Sequence, residues 1–308
     1  MPDTAQQIRE RDIAIFWAIY ACQALSTPQI NARFFPPETS ERKRDVRANQ
    51  EVSSRCRTRL KQLYQAGYLT RQEIPTTTRQ GKLPLLYFLT PKAVKLLAKE
   101  AGVTLSEMDW RPEHNEIGFN KLDHLVHLND VRLSLGIAAE AAGYEITKWL
   151  NERELQRLKM KAAVPNKKGR KRREALIPDA FFTLLNPSQV EVKRFAYPYF
   201  LEVDRGSEHI GLSSDKGYLN YFKSKIPRYL SYYRSGAYTA AFEFEQMQVL
   251  IVTTDMVRLQ KMKEAIEVSG GGRQFWLTTQ EQLTTPYQAL THPIWHVAQQ
   301  NGPYPLVH

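Results

Sequence analysis

Three carboxylates of this chain are spaced so that they could act together. Asp179 lies in the apolar segment ALIPDAFFTLL, and Glu202 and Asp204 close a second one, RFAYPYFLEVD. Side chains two positions apart on a strand leave the same face, and pairing of the two segments would bring Asp179 beside them. Carboxylates about 4–5 Å apart repel by roughly 3–4 kcal/mol per pair at an effective dielectric constant of about 20. The cluster therefore needs a partner of opposite charge, or protonation of one acid.

Two kinds of partner would satisfy these acids. A hard divalent cation, magnesium or manganese, held by Asp179, Glu202 and Asp204 and completed by water and phosphate, would make the cluster a catalytic metal site. Alternatively, Arg205, Lys216 or backbone amides pair with the acids, and loss of Asp179 then alters stability more than activity. The residue types alone leave both interpretations open.

The overall charge indicates a polyanionic partner. The 308 residues carry a net charge of +11 and a pI near 9.5, which is unusual for an enzyme of small neutral substrates and favours nucleic acid. In residues 159–173, KMKAAVPNKKGRKRR, eight of fifteen positions are Lys or Arg and none is acidic. We expect a loop that lies against DNA phosphates, with a merely solvated loop as the alternative. Its cations predicted to contact DNA are Lys167, Lys168, Arg170, Lys171, Arg172 and Arg173.

The sequence predicts a cytoplasmic protein with no membrane partner. No stretch approaches the ~20 apolar residues of a membrane span, and the polar start MPDTAQQIRERD is not a signal peptide. The two cysteines, Cys22 and Cys56, fall on apolar helix faces, so we expect them in the core and not as metal ligands.

The first hundred residues follow the order of a winged helix-turn-helix. Two amphipathic helices are separated by a short one that Ser26 caps and that has Pro28 in its first turn. Gly67 ends the third helix, a hairpin follows, and a fourth helix begins at Pro91 behind Thr90. The apolar faces of the first and third helices are Ile15, Ile19, Cys22 and Leu25, and Val52, Cys56, Leu60 and Leu63.

The third helix is the predicted DNA-reading element of a domain at residues 1–103. No acid occurs between Glu51 and Glu73, and a helix with exposed hydroxyls and cations suits the major groove of duplex DNA. The residues predicted to contact DNA are Ser54, Arg55, Arg57, Thr58 and Lys61 on the helix and Arg71, Arg79 and Lys82 on the hairpin. A helical bundle for protein contacts is the alternative, and a homodimer is a further expected partner.

A second domain, residues 119–308, is predicted after a linker at residues 104–118 that mixes acids, Pro and Gly. It begins with a long helix in which His124 and His127 have a spacing that two metal ligands could use. Hydrogen-bonded helix histidines are the default for such a pair, because no third ligand follows at helical spacing.

Strands dominate the rest of the second domain. YEITKWLNERELQ, ALIPDAFFTLL and RFAYPYFLEVD are predicted strands, and the last two should pair antiparallel. A tyrosine-rich helix over residues 213–235, interrupted or kinked at Pro227, leads to the buried strand QVLIVTT. A helix, DMVRLQKMKEAIEVS, and a strand, QFWLTT, complete an α/β sandwich around a mixed sheet.

The order of elements and the acids resemble the PD-(D/E)xK nuclease superfamily. By that resemblance Asp179 matches the first acid and Glu202 the second, whereas Asp204 occupies the position of the lysine. In some members the lysine migrates to the following helix, and Lys216 or Lys223 could then substitute. This resemblance implies that the second domain is a restriction-endonuclease-like sandwich with a mixed sheet. The predicted fold class is therefore α/β (α+β), with the winged helix-turn-helix preceding that sandwich.

The wider layout is similar to the bacterial replication-relaxation family. The similarity rests on LSTPQI, YQAGYLTR, YFLTPKAVKLL, HLVHLNDVRLSL, IPDAFF and LEVDRGSE. It implies a DNA-binding protein of a plasmid or other mobile element, acting in replication, relaxation or transfer, with replication or mobilisation proteins as further partners.

Two other activities are compatible with the sequence. One is a metal-dependent endonuclease in which Asp179, Glu202 and Asp204 hold magnesium and Lys216 or Lys223 polarises water or the scissile phosphate. The other is a relaxase with a tyrosine nucleophile, although a tyrosine-rich helix face more often packs than reacts. The tyrosines concerned are Tyr218, Tyr221, Tyr229, Tyr232 and Tyr233.

Overall fold

The chain divides into two compact units, residues 1–133 and 134–308. The division falls inside a long helix, later in the chain than the predicted linker at 104–118, whose role as a linker stays a prediction. The computed structural model describes residues 7–35, 52–73, 84–165, 170–188, 196–205, 218–284 and 288–307.

The first unit combines helices with a small antiparallel sheet of strand order β1-β3-β2. The elements follow one another in the predicted order of helix, short helix, basic helix, hairpin and helix. Two short 3-10 turns, at Leu105–Glu107 and Pro112–Asn115, precede the long helix. The elements are α1 Glu10–Cys22, β1 Leu25–Ser26, α2 Thr27–Phe34, α3 Ser54–Gln65, β2 Leu69–Gln72, β3 Leu86–Leu89, α4 Pro91–Ala101 and the first part of α5 Phe119–Ala142, within which the division falls.

The helix ends of this unit follow the predicted signals. Ser26 accepts a hydrogen bond from the Gln29 amide at the start of α2, and the Gln29 side chain accepts one from Ser26 N in return. Thr90 caps α4 through its hydroxyl, which accepts a hydrogen bond from the Ala93 amide. Gly67 follows α3 with a φ of 75°, a left-handed conformation that glycine adopts without steric cost.

The predicted apolar stripes form the core of the first unit. All eight predicted stripe residues are buried, although Leu25 lies in β1 and Val52 precedes the start of α3. Every residue of β3 is also buried, because this central strand lies between β1 and β2 and packs against helices. Burial raises the pKa of the Cys56 thiol to about 12, so this side chain acts as a small core residue.

The second unit is built on a mixed sheet of strand order β12-β11-β10-β9-β8-β7-β4 within the described residues. The strands β4, β7 and β8 pair antiparallel, β8, β9 and β10 pair parallel, and β11 and β12 are added antiparallel next to β10. This arrangement confirms the predicted α/β class with a mixed sheet. The elements are β4 Glu145–Asn151, α6 Glu152–Arg157, β5 Lys161–Pro165, β6 Lys171–Ala175, β7 Ala180–Leu185, β8 Ala196–Val203, α7 Tyr218–Arg234, α8 Ala237–Phe242, β9 Gln248–Thr253, α9 Met256–Val268, β10 Phe275–Thr279, β11 Trp295–Val297 and β12 Pro303–Tyr304.

Three local predictions for this unit were wrong. The first strand ends at Asn151, because Asn151 and Glu154 form a reciprocal capping box that starts α6. The basic segment around residues 159–173 is not a simple loop, since β5 and β6 pair as a two-stranded ribbon. The helix α7 continues through Pro227, so the predicted interruption there was wrong, and the alternative of a kink stays a prediction.

Candidate nucleic-acid interface and acidic site

The α3 helix presents the basic face that the sequence predicts. Its apolar stripe is buried, and its N-terminus is capped by Ser53, whose hydroxyl accepts a hydrogen bond from the Cys56 amide at 3.2 Å. The predicted contact residues Ser54, Arg55, Arg57, Thr58 and Lys61 are all exposed. Hydroxyls and cations therefore line the solvent side of one helix.

A buried ion pair that the sequence analysis missed holds α3 against α1. Arg59 donates through Nε to Asp12 Oδ1 at 2.8 Å and through Nη2 to Asp12 Oδ2. Asp12 is 1% exposed, and the hydrogen bond to Asp12 raises the pKa of Arg59. The pair fixes the rotation of α3, and with it the direction of the basic face. The signal in the sequence was an acid within the apolar periodicity of α1.

The hairpin contributes one predicted cation to the described surface. The Arg71 guanidinium lies over the Tyr64 ring, 4.3 Å from its centroid, and α3 and the hairpin enclose a cleft of about 380 Å³. Its lining contains the cations Arg57, Lys61 and Arg71 and no carboxylate. Arg79 and Lys82 lie outside the described residues.

The structure describes the side chains of three of the six predicted cations in the basic run. Arg170, Arg172 and Arg173 are exposed, and Lys171 is in β6, although its side chain is not described. Lys167 and Lys168 lie outside the described residues.

The acids meet as the strand pairing predicts. β7 and β8 are antiparallel with Ala180 opposite Leu201, so Asp179 stands beside the end of β8. Its Oδ2 accepts a hydrogen bond from the Val203 amide at 2.7 Å, and its own amide donates to Leu201 O. Asp179 therefore has the backbone partner that one sequence interpretation anticipated.

Glu202 is neutralised from α7. It is 8% exposed, Lys225 Nζ donates to its Oε2 at 2.5 Å, and the Tyr229 hydroxyl donates to its Oε1. Burial raises the pKa of Glu202 to about 7, an effect that Lys225 opposes and the neighbouring Asp179 reinforces. The carboxyl thus titrates near neutral pH.

Asp204 is turned towards a different cation. Arg258 of α9 donates to it through Nε and, at 2.7 Å, through Nη2, and Thr253 Oγ1 donates at 2.6 Å. Both of its oxygens accept from Arg258 in a buried ion pair, and the role of Asp204 as a third metal ligand stays a prediction. Over the described parts of the chain, no group of three or more His, Cys, Asp or Glu side chains is placed to hold a metal ion.

Among the described side chains, the lysine beside Glu202 is Lys225, which the sequence analysis did not propose. Lys216 lies outside the described residues, and Lys223 belongs to α7 but its side chain is not described. Lys225 contacts Glu202 because it stands one helical turn before Tyr229, on the face of α7 that packs on the sheet. A lysine on the buried face of an amphipathic helix was the overlooked signal.

The described histidine and tyrosine side chains are hydrogen-bonded or packed within the fold. His127 Nδ1 lies 2.8 Å from Asp123 O and 3.6 Å from the Asp123 carboxylate, as expected for a hydrogen-bonded helix histidine. Tyr229 and Tyr232 are buried, and burial raises the pKa of Tyr232, which disfavours a phenolate nucleophile. Tyr233 is partly buried against the core of the second unit, and the side chains of Tyr218 and Tyr221 are not described.

Together these features define a class: a two-unit α/β protein with an exposed basic helix in one unit and an acid–cation cluster on the mixed sheet of the other. None of the helices in the described ranges has the length and apolar character needed to cross a bilayer. The sequence profile of the replication-relaxation family matches residues 16–244.

The chain therefore belongs to the replication-relaxation family, as its motifs suggest. The match includes α3, Asp179, Glu202 and Lys225, whereas Arg258 lies beyond it. Neither a curated protein nor a solved structure matches the chain.

Proposed function

We propose that the protein binds duplex DNA and acts in the replication, relaxation or transfer of a plasmid or other mobile element. Membership in the replication-relaxation family supports the process. The single observation that supports DNA binding is the α3 surface, where five hydroxyl and cationic side chains are exposed opposite a buried apolar stripe.

The first unit acts in this proposal as a winged helix-turn-helix. α3 enters the major groove, where Ser54, Thr58 and the flanking arginines reach base edges, and Lys61 and Arg71 contact phosphates. The cationic cleft between α3 and the hairpin supports the same orientation, because its lining carries no acid to repel the backbone.

The second unit is in this proposal a nuclease-like platform whose acids are held by the protein itself. Asp179 accepts from a backbone amide, Glu202 from Lys225 and Asp204 from Arg258. In this proposal Lys225 and Arg258 neutralise Glu202 and Asp204, so the end of β8 needs no metal ion to be stable.

Binding assays on matched variants test the DNA-binding proposal. The double substitution Arg55→Ala/Arg57→Ala should weaken duplex binding at least tenfold and reduce the slope of log affinity against log salt by about 0.9 for each phosphate that the variant no longer neutralises. The control is Lys95→Ala/Lys99→Ala, which removes two exposed charges from α4. Equal weakening in both variants would show a diffuse charge effect and refute the role of α3.

A second function, metal-dependent cleavage of DNA, is favoured by one observation: Asp179 and Glu202 lie together beside a lysine from the following helix. Two carboxylates are a sufficient protein contribution for magnesium, which usually keeps several waters and takes substrate phosphate as well. Asp179 and Glu202 would hold the ion, which supplies charge neutralisation and an activated water when bound. Lys225 would hold a proton close to the phosphate.

A nicking assay on supercoiled DNA distinguishes the two functions. Under the first, protein with magnesium or manganese binds the DNA without nicking it, and Asp179→Asn lowers thermal stability. Under the second, nicking depends on the metal and disappears in Asp179→Asn and Glu202→Gln. Asp204→Asn adds information, because cleavage that survives this change would exclude Asp204 as a required ligand.

A further inference from the structure

The ribbon of β5 and β6 has two chemically different faces. Its register places Ala163 opposite Arg173 and Val164 opposite Arg172. Because cross-strand partners share a face and successive residues alternate, Arg172 and Arg173 belong to opposite faces. The same rule groups Lys161 with Ala163 and Arg173.

The inner face anchors the ribbon to the second unit. Val164 packs against the core cluster of that unit. Glu174, on the same face, forms an ion pair with Arg228 of α7 at 2.7 Å. The Ser231 hydroxyl of α7 donates to the Ala163 carbonyl at 2.8 Å. The ribbon is therefore held in a defined orientation by the helix that also carries Lys225.

The outer face is cationic and otherwise small. Lys161, Ala163, Arg173 and Ala175 are exposed, and no acid occurs among the described side chains of this face. A two-stranded antiparallel ribbon fits the major groove of B-form DNA. Small residues allow close approach to the bases, and flanking cations reach the phosphates at the groove edges.

We propose that this outer face of the ribbon enters the major groove of duplex DNA. It would be a second DNA contact, separate from the one that α3 makes. The inference rests on the proposed function, since it takes duplex DNA as the ligand of the protein. The positive charge of this face favours a nucleic acid as the ligand. The width of a two-stranded ribbon matches the major groove of B-form DNA. Duplex RNA has a deep, narrow major groove that would not admit the ribbon.

An arginine on the outer face and an exposed lysine elsewhere in the second unit provide two variants of the full-length protein to compare. Arg173→Ala should lower affinity for duplex DNA roughly five- to tenfold, whereas Lys148→Ala, which removes one exposed charge from β4, should change it less than twofold. Fluorescence anisotropy at several salt concentrations measures both. Equal reductions in affinity would overturn the groove contact, and so would competition by duplex RNA as effective as that by duplex DNA.

A tethered cleavage reagent gives an independent measurement. Cys22 and Cys56 are the only cysteines in the sequence and both are buried, so an introduced surface cysteine is labelled selectively. An iron chelate on Ala163→Cys should cut bound duplex on both strands across one major groove. The same label on Val268→Cys, at an 81% exposed position of α9, should leave the duplex intact. Absence of cutting from position 163 in a protein that binds DNA would refute the proposal.

The α3 variant distinguishes failure of this inference from failure of the proposed function. If Arg55→Ala/Arg57→Ala binds normally while Arg173→Ala does not, the ribbon proposal stands and the α3 assignment fails. The reverse pattern overturns the ribbon and leaves α3 as the DNA contact. Wild-type protein that binds no duplex DNA overturns both.

Discussion

Two buried acid–cation pairs, one in each unit, satisfy their acids in different ways. In the first unit, Asp12 receives two nitrogens of the Arg59 guanidinium and, at 2.8 Å, the backbone amide of Arg9. In the second, Glu202 receives the Lys225 ammonium on one oxygen and the Tyr229 hydroxyl on the other. The planar guanidinium is a two-point clamp, whereas the ammonium is a point charge on a flexible stem.

The two pairs therefore have different roles: the first positions a helix, and the second contains a carboxyl whose pKa is raised. The Asp12–Arg59 clamp joins α1 to α3 and determines which face of α3 meets solvent. The Glu202 carboxyl is buried with fewer fixed donors, and its pKa rises to about 7. A perturbed acid of this kind is typical of functional sites, although structural ion pairs produce it as well. The following variants test how far the two pairs differ.

The largest effect is expected at Lys225. Lys225→Met removes the cation and leaves Glu202 buried without its ion-pair partner, which should lower the free energy of unfolding by roughly 3–5 kcal/mol. The double variant Lys225→Met/Glu202→Gln should recover most of that stability, because no uncompensated charge is left. Urea unfolding of both variants measures the difference, and equal destabilisation would mean that packing, not charge, dominates this site.

The pH dependence of stability should report Glu202 directly. A carboxyl with a raised folded-state pKa contributes stability that is complete below its unfolded pKa of about 4.5 and is lost as the pH rises through about 7. Between pH 5 and 8 the wild type should lose on the order of 2 kcal/mol relative to Lys225→Met/Glu202→Gln. Parallel pH profiles for the two proteins would contradict the assignment.

The clamp of the first unit should depend on arginine geometry. Arg59→Lys keeps the charge but loses the fork, and should lower the free energy of unfolding by roughly 1–2 kcal/mol. Because α3 loses its fixed rotation, DNA affinity should fall as well. Arg57→Lys, an equivalent change at an exposed position of the same helix, should leave stability unchanged. A stable Arg59→Lys protein would show that the charge alone suffices.

The smallest effect is expected at the α3 cap. Ser53→Ala removes the acceptor of the Cys56 amide and the hydroxyl that donates to Asn31 Oδ1 at 3.0 Å, which should cost about 1 kcal/mol. Ser54→Ala, one position along and exposed, should stay within about 0.5 kcal/mol of wild type. Thermal unfolding of the two variants measures the difference. Equal effects would show that the Ser53 cap does not stabilise α3.

Local features of this fold were predictable from the sequence. The spacing of Val52, Cys56, Leu60 and Leu63 predicts a helix with one buried face. That prediction is confirmed for the last three, whereas Val52 is buried but precedes the start of α3 at Ser54. Capping and glycine signals predicted the start of α2, the C-terminal end of α3 and the start of α4, because these depend on hydrogen bonds within a few residues. The capping box at Asn151 was equally local and was overlooked.

The meeting of Asp179 with the end of β8 was predictable for a related reason. Two apolar segments joined by a short turn-like stretch pair antiparallel, and the register then follows from their lengths. The lysine beside Glu202 was not predictable in this way. Lys225 is 23 positions away from Glu202, and Arg258 is 54 away from Asp204. Which cation arrives depends on the rotation of α7 and α9 on the sheet.

The sequence by itself determined the periodicity of the helices and strands, the basic character of α3 and of the ribbon, and the approach of Asp179 to the end of β8. These properties depend on local spacing and on composition. Only the tertiary structure decided that Lys225 and Arg258 neutralise Glu202 and Asp204, and that the basic run folds into a ribbon with two faces. Hydrogen bonds and ion pairs act over about 3 Å, and that distance is set by how distant helices and strands pack together.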